Sequence, residues 1–260
     1  NTTGNNRVCV GLQSGQSNTT GSENIAVGVS CLQSNTTGSQ NIALGHEAMN
    51  ANTTASYNTA FGNYSLRFNT TGTNNTAVGY QSLYSNTTGN GRNVAVGGGS
   101  MYTNTTGYQN TAVGQDAMRA NTTGYMNTAV GQAAFDANTT GIENTSTGYA
   151  SGSANTTASY NVFNGAYAGN TTTTGEKNVF IGGSAGRVNT TGSYGVAVGF
   201  NALQKNTTGR FNNAIGYYAL FNVTTAERNV PVGSQTLYYN TSGDNNVAAG
   251  DLSLHQNTTG

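Results

Sequence analysis

Side chains able to do acid–base, nucleophilic or metal chemistry are sparse in this chain and poorly spaced for it. The two histidines, His46 and His255, are far apart in sequence, and only Glu47 offers His46 a neighbouring carboxylate. The acidic residues Glu23, Glu47, Asp116, Asp136, Glu143, Glu176, Glu227, Asp244 and Asp251 show no spacing that would pair two carboxylates as acid and base. Calcium-binding solenoids need aspartate in each repeat, and that pattern is missing here. The expectation is therefore no enzyme, no cofactor and no dedicated metal site. Cys9 and Cys31 make no disulfide framework; they read as small thiols standing in for alanine or serine, with a bridge as the alternative in an oxidising compartment.

The chemical signature that does recur is Asn-x-Thr. It occurs at Asn1, Asn18, Asn35, Asn52, Asn69, Asn86, Asn104, Asn121, Asn138, Asn155, Asn170, Asn189, Asn206, Asn222, Asn240 (as Asn-Thr-Ser) and Asn257. Each is an acceptor sequence for an N-linked glycan on an exposed loop. Asparagine also suits tight turns, because it tolerates left-handed backbone, so a bare Asn/Thr turn ladder competes with a glycosylated one. Where the box is shifted, at Thr172 and Val223, Asn170-Thr171-Thr172 and Asn222-Val223-Thr224 keep a sequon nearby.

Composition narrows the classes open to such a chain. Of 260 residues 37 are glycine, 35% are apolar and 7% are charged, against roughly 25% charged in an ordinary soluble domain. A conventional globular enzyme is disfavoured. Disorder is disfavoured too, since nine basic residues balance nine acidic ones and Pro231 is the only proline. Scattered single Arg and Lys residues argue against a nucleic-acid surface. No run of 18 apolar residues or charged-then-apolar leader is present, so this segment is expected to make no membrane contact and to carry no export signal. The chain begins with Asn1-Thr2-Thr3-Gly4 and closes with Asn257-Thr258-Thr259-Gly260, which reads as a segment of a longer array.

The array is one 17-residue repeat, expected to run unbroken over 1–260. Turns start at 1, 18, 35, 52, 69, 86, 104, 121, 138, 155, 172, 189, 206, 223 and 240, and the turn from 86 holds one extra residue within Gly89-Asn90-Gly91-Arg92, which marks a loop. Numbering positions from the first Asn gives N-T-T-G-x-x-N-[TV]-A-V-G-x-x-[AS]-L-x-x. Position 11 is glycine throughout: Gly11, Gly28, Gly45, Gly62, Gly79, Gly97, Gly114, Gly131, Gly148, Gly165, Gly182, Gly199, Gly216, Gly233 and Gly250. Such constancy predicts a backbone with positive φ or no room for a Cβ. Position 7 is Asn except at Arg7 and Gly195, which predicts a ladder of stacked amides.

Seventeen residues cannot hold two helices with their turns, and Thr, Asn and Gly are poor helix formers. Positions 8 to 10, as in Ile42-Ala43-Leu44 and Val94-Ala95-Val96, predict a short strand, and positions 14 to 16, as in Ser82-Leu83-Tyr84, a second. The fold expected is all-β: a parallel β-solenoid with one repeat per turn and about 15 turns, roughly 70 Å long at about 4.8 Å per turn. Phe163 and Phe180 replace the usual alanine at position 9 in turns whose position 15 is Gly169 and Gly186, which predicts that positions 9 and 15 share one interior space. Positions 8 and 10 then face outward, and since position 10 is Val, Ile, Leu or Phe in 12 turns, that face is expected to pack on other copies, most simply as a parallel trimer. A monomeric coil with 8 and 10 inward is the alternative. Pro231, at position 9, predicts a weakened rung.

The strands Asn93-Val94-Ala95-Val96-Gly97 and Gly195-Val196-Ala197-Val198-Gly199 resemble the YadA-like head repeats of trimeric autotransporter adhesins. The fuller unit from Asn69 to Leu83 is similar to repeats in long bacterial surface and phage-tail-fibre-like proteins. The resemblance implies a left-handed β-roll, a homotrimer and a role in attachment or display. The adhesin repeat is usually shorter than 17 residues, so the NTTG segment is an addition to it. The function expected is a structural, extracellular fibre or adhesin segment at a cell surface or on a virion. The alternative is a carbohydrate-binding tail-fibre module, with surface glycans as partners of exposed Tyr and Asn, including Tyr80, Tyr84, Tyr102, Tyr108, Tyr125 and Tyr149.

Overall fold

The computed structural model describes residues 3–88 and 91–260; the sequon at Asn1 and the Gly89-Asn90 part of the insertion lie outside the described residues. The chain falls into two compact units, Asn1–Asn127 and Thr128–Gly260, built on the same plan. In the first, β1 (Val8–Val10), β2 (Ile25–Val27), β3 (Ile42–Leu44), β4 (Thr59–Phe61), β5 (Thr76–Val78), β6 (Val94–Val96) and β7 (Thr111–Val113) pair in chain order. In the second, β8 (Thr128–Val130), β9 (Thr145–Thr147), β10 (Val162–Asn164), β11 (Val179–Ile181), β12 (Val196–Val198), β13 (Asn213–Ile215), β14 (Val230–Val232) and β15 (Val247–Ala249) do the same. All these pairings are parallel, with like positions of successive turns opposite one another. Each unit is a parallel β-solenoid.

Backbone bonding between turns runs in both directions. In the turn from 35, the N–H groups of Ile42, Met49 and Ala51 donate to Asn58, Ser65 and Arg67 of the next turn. Those of Gln40, Gly45 and Glu47 donate to Ser22, Val27 and Val29 of the previous one. This is how a chain so poor in apolar residues orders its backbone: the polar groups that folding takes from water find partners above and below.

The strands fall where expected, but the second strand over positions 14 to 16 does not form. Ser82 and Leu83 are consecutive and both buried, whereas successive residues of a strand point to opposite faces. The chain places both inside by alternating its backbone hand: Gln81 and Leu83, at positions 13 and 15, have φ of 55° and 48°. Met49, Leu66, Met101 and Leu220 take the same left-handed φ at position 15, a conformation that is uncommon for bulky residues. The arm still bonds as a strand would, with Leu83 N–H donating to Ser100 at 3.0 Å.

The interior is apolar on one side and amide-lined on the other. Position 9 points inward, with Ala26, Ala43 and Ala77 fully buried beside Leu32, Met49 and Leu83 of position 15. The exchange of volume between these positions is direct. A Cβ on Gly169 would lie 2.7 Å from the Phe163 ring and one on Gly186 2.5 Å from the Phe180 ring. Gly15 makes the same room for Cys9, and Gly152 for Phe135 and Phe163. The corner glycine is required for the predicted reasons: Gly62 has φ of 138°, and a Cβ there would lie 2.5 Å from the carbonyl oxygen of Gly79 in the next turn. At Pro231 the rung is weakened, β13 and β14 sharing register only at Ile215 and Val232 where the other described pairs share three positions.

Candidate functional site

With position 9 inside, positions 8 and 10 face outward. No charged residue occupies either position in any turn. In the first unit, Val27, Leu44, Phe61 and Val78 form a row over the corner glycines Gly45, Gly62 and Gly79, which add no side chain to interrupt it, and together they line a shallow apolar concavity. Phe61 is 55% exposed and Ile42, at position 8, 39%. The second unit presents Val130, Ile181, Ile215 and Val232 in the same row, each exposed, with the polar Thr147 and Asn164 between the first two. Hydrophobic residues scattered singly over a surface are ordinary; a row repeated turn after turn sets this face apart from the rest of the surface.

The sequon asparagines have the opposite disposition. Asn18, Asn35, Asn52, Asn69, Asn86, Asn104, Asn121, Asn138, Asn155, Asn189, Asn206 and Asn240 are all buried, so in the folded chain their amides do not present themselves for glycan transfer. They stack instead. Asn52 Nδ2 donates to Asn35 Oδ1 at 2.7 Å and to the Ala55 carbonyl at 3.1 Å, and Asn86 repeats the first contact on Asn69. The middle residue of the sequon serves the ladder too, Thr36 Oγ1 donating to the carbonyl of Thr53 in the next turn. The shifted boxes now have an explanation: Thr172 and Val223 occupy the same buried slot, while Asn170 and Asn222 stand outside it, half-buried. Asn257, at the end of the chain, is half-buried and bonds the carbonyl of Gly260.

Position 7 supplies the second ladder. Asn41 donates its backbone N–H and Nδ2 to Asn24 Oδ1 at 2.9 and 3.2 Å, and Nδ2 also to the Ala55 carbonyl at 2.9 Å. At the Gly195 gap the backbone N–H still reaches Asn178 Oδ1 at 2.9 Å.

Titratable groups gather into no metal-binding set of three among the described residues. His46 lies 3.9 Å from Glu47, whose carboxylate is taken by Arg67. Arg67 donates to the Tyr84 hydroxyl at 2.8 Å and covers the Phe68 ring at 5.0 Å, a surface clasp across three turns. His255 stacks on Tyr238 at 5.3 Å. Cys9 is exposed and Cys31 buried, both as free thiols. Cys31 donates to the Ala43 carbonyl at 3.1 Å, and burial pushes its thiol up to about 12.

Aromatic side chains stack from turn to turn outside the coil, as at Tyr84–Tyr102 and Tyr108–Tyr125, with centroids 4.9 and 4.8 Å apart. The largest group was not picked out from the sequence: Tyr217, Tyr218, Phe221, Tyr238, Tyr239 and His255, from three successive turns. Its signal was available as aromatic residues at positions 12, 13, 16 and 17 of adjacent repeats.

The fold and these surfaces define the chain as a parallel β-solenoid repeat protein. No protein-family model, curated protein or solved structure matches it. No helix among the described residues is long and apolar enough to cross a membrane.

Proposed function

We propose that the chain is a structural segment of an extracellular fibre or surface adhesin, whose copies associate side by side as a parallel homotrimer through the outward strand face. One observation carries this reading: a row of uncharged side chains at positions 8 and 10, apolar at position 10 in 12 turns, remains exposed or half-buried although the interior is already filled by positions 9, 14 and 15. Burying a valine- or leucine-sized side chain is worth about 1.5–3 kcal/mol, and the repeat offers such a side chain turn after turn, so association rewards length. Strands apolar on both faces usually lie between two layers; copies of the same chain supply the second layer. The scarcity of catalytic chemistry and the likeness of the strand motif to adhesin head repeats support a mechanical role in display and attachment.

Association predicts that thermal unfolding rises in temperature with protein concentration. The Leu44→Lys/Phe61→Lys variant, altered at the half-buried Leu44 and the exposed Phe61 of the outward row, is expected to keep its β-sheet circular dichroism, melt lower and lose that dependence. A wild-type midpoint independent of concentration over a hundredfold range overturns the reading.

A further inference from the structure

The aromatic group of the second unit forms a cleft lined by Tyr217, Tyr218, Gln235, Tyr238, Tyr239 and His255. Its base is a half-buried stack: Phe221 on Tyr238 at 5.2 Å and 6°, and Tyr238 on His255 at 5.3 Å and 16°. Against this base two rings stand edge-on and open. Tyr239 meets Tyr238 at 4.8 Å and 81° and is 43% exposed; Tyr217 meets Tyr218 at 4.5 Å and 69° and is 51% exposed. Both edge-on pairs join neighbours within one turn, whereas the rings of successive turns in the base lie nearly parallel, at 6° and 16°. Position 17, which holds Tyr239, is serine at Ser17, Ser34 and Ser85.

The chemistry of the walls selects the ligand. No Lys, Arg, Asp or Glu lines the cleft, so it holds nothing to match a phosphate or a charged peptide. The backbone N–H groups of Tyr218, Gln235 and Tyr239 are already bonded to the neighbouring turns, which disfavours main-chain pairing with an extended peptide. What remains is aromatic faces bordered by phenol hydroxyls, one carboxamide and one imidazole. Flat apolar faces with hydrogen-bonding edges complement a pyranose ring, whose C–H face is apolar and whose rim is hydroxyl. Rings held by the stack beneath them lose little freedom on binding.

We infer that this cleft is a binding site for a neutral saccharide, stacked on Tyr217 and Tyr239 and hydrogen-bonded by Gln235, the tyrosine hydroxyls and His255. The site lies at positions 12 to 17 and no residue of positions 8 or 10 lines it, so its failure and the failure of side-by-side association are separately observable.

The test uses the full chain on an array of neutral and charged glycans, followed by calorimetric titration of a neutral glycan that binds. The Tyr217→Gln/Tyr239→Ser variant carries residues that other turns hold at the same positions, Gln115 and Ser85, and so preserves the coil. It is expected to weaken binding by about tenfold or more, whereas Tyr239→Phe, which keeps the ring, stays within about threefold. Tyr108→Ala, outside the cleft, is expected to change nothing. Absence of neutral glycan binding at millimolar concentration, a preference confined to charged glycans, or affinity undiminished in the double variant would each overturn the inference.

Discussion

Two asparagine side chains per turn are held inside the coil, where an unpaired amide costs about 1–3 kcal/mol and a paired one stabilises by about 1. The ladders satisfy them by making each amide both donor to one turn and acceptor from the next. The array itself shows what a break does. Val223 has no donor to offer, and Asn206 Oδ1 is left buried without a partner; at the other break, Asn155 Oδ1 instead takes the N–H of Ala158 at 3.1 Å, although Thr172 Oγ1 stays unpaired. Replacing Asn52 by valine therefore strands Asn35 Oδ1 and removes one acceptor of Asn69 Nδ2. Asn69 Nδ2 keeps the Gly72 carbonyl at 2.9 Å, so one stranded oxygen and one lost amide contact oppose the gain from the buried methyls, about 1.5–3 kcal/mol. Asn52→Val is expected to lower the opening free energy of the neighbouring turns by about 1 kcal/mol, read as hydrogen exchange at the Thr36 and Thr70 amides; unchanged exchange would contradict it. The position 7 ladder was legible in the sequence because asparagine recurs there with almost no substitution. The position 1 ladder was half legible: the same residues spell a glycosylation sequon, and only burial separates an acceptor from a core amide.

At the scale of the turn, one short strand and a left-handed return arm divide the work. The strand could be read from its Asn and Gly boundaries and β-favouring centre. The arm could not, because a period-2 pattern and an alternation of backbone hand place side chains differently, and sequence shows only residue types. The shared space between positions 9 and 15 was legible from Phe163 and Phe180 with their glycines, and it supports a quantitative test. Phe163→Ala is expected to cost about 3–5 kcal/mol through the cavity it leaves, and Gly169→Leu to destabilise by collision with the Phe163 ring. Together they restore the Ala/Leu pairing of Ala77 and Leu83, so the double variant is expected to recover at least about 2 kcal/mol of coupling in urea unfolding. Simple additivity would show that the two positions do not share one space. The same scale locates the weakest rung: Val223 and Pro231 fall in one turn, which loses an amide contact and strand register together.

For the molecule as a whole, what faces outward matters most. Charge is too sparse to steer partners over distance, and the strand face offers apolar area without a charged residue to oppose self-pairing. Which face turned outward was legible only through the volume exchange at position 9; composition alone left the inward and outward arrangements equal. The aromatic cleft was missed because its rings were read one turn at a time, although adjacent turns bring like positions to about 4.8 Å. The central proposal, that the outward strand face is a contact between copies, is tested most directly by the mass of the intact particle in sedimentation equilibrium. A trimer of this chain of 26.6 kDa predicts about 80 kDa, threefold the single chain by closed symmetry, held across dilution into the micromolar range. A particle of one chain mass at the highest concentration reached would contradict it.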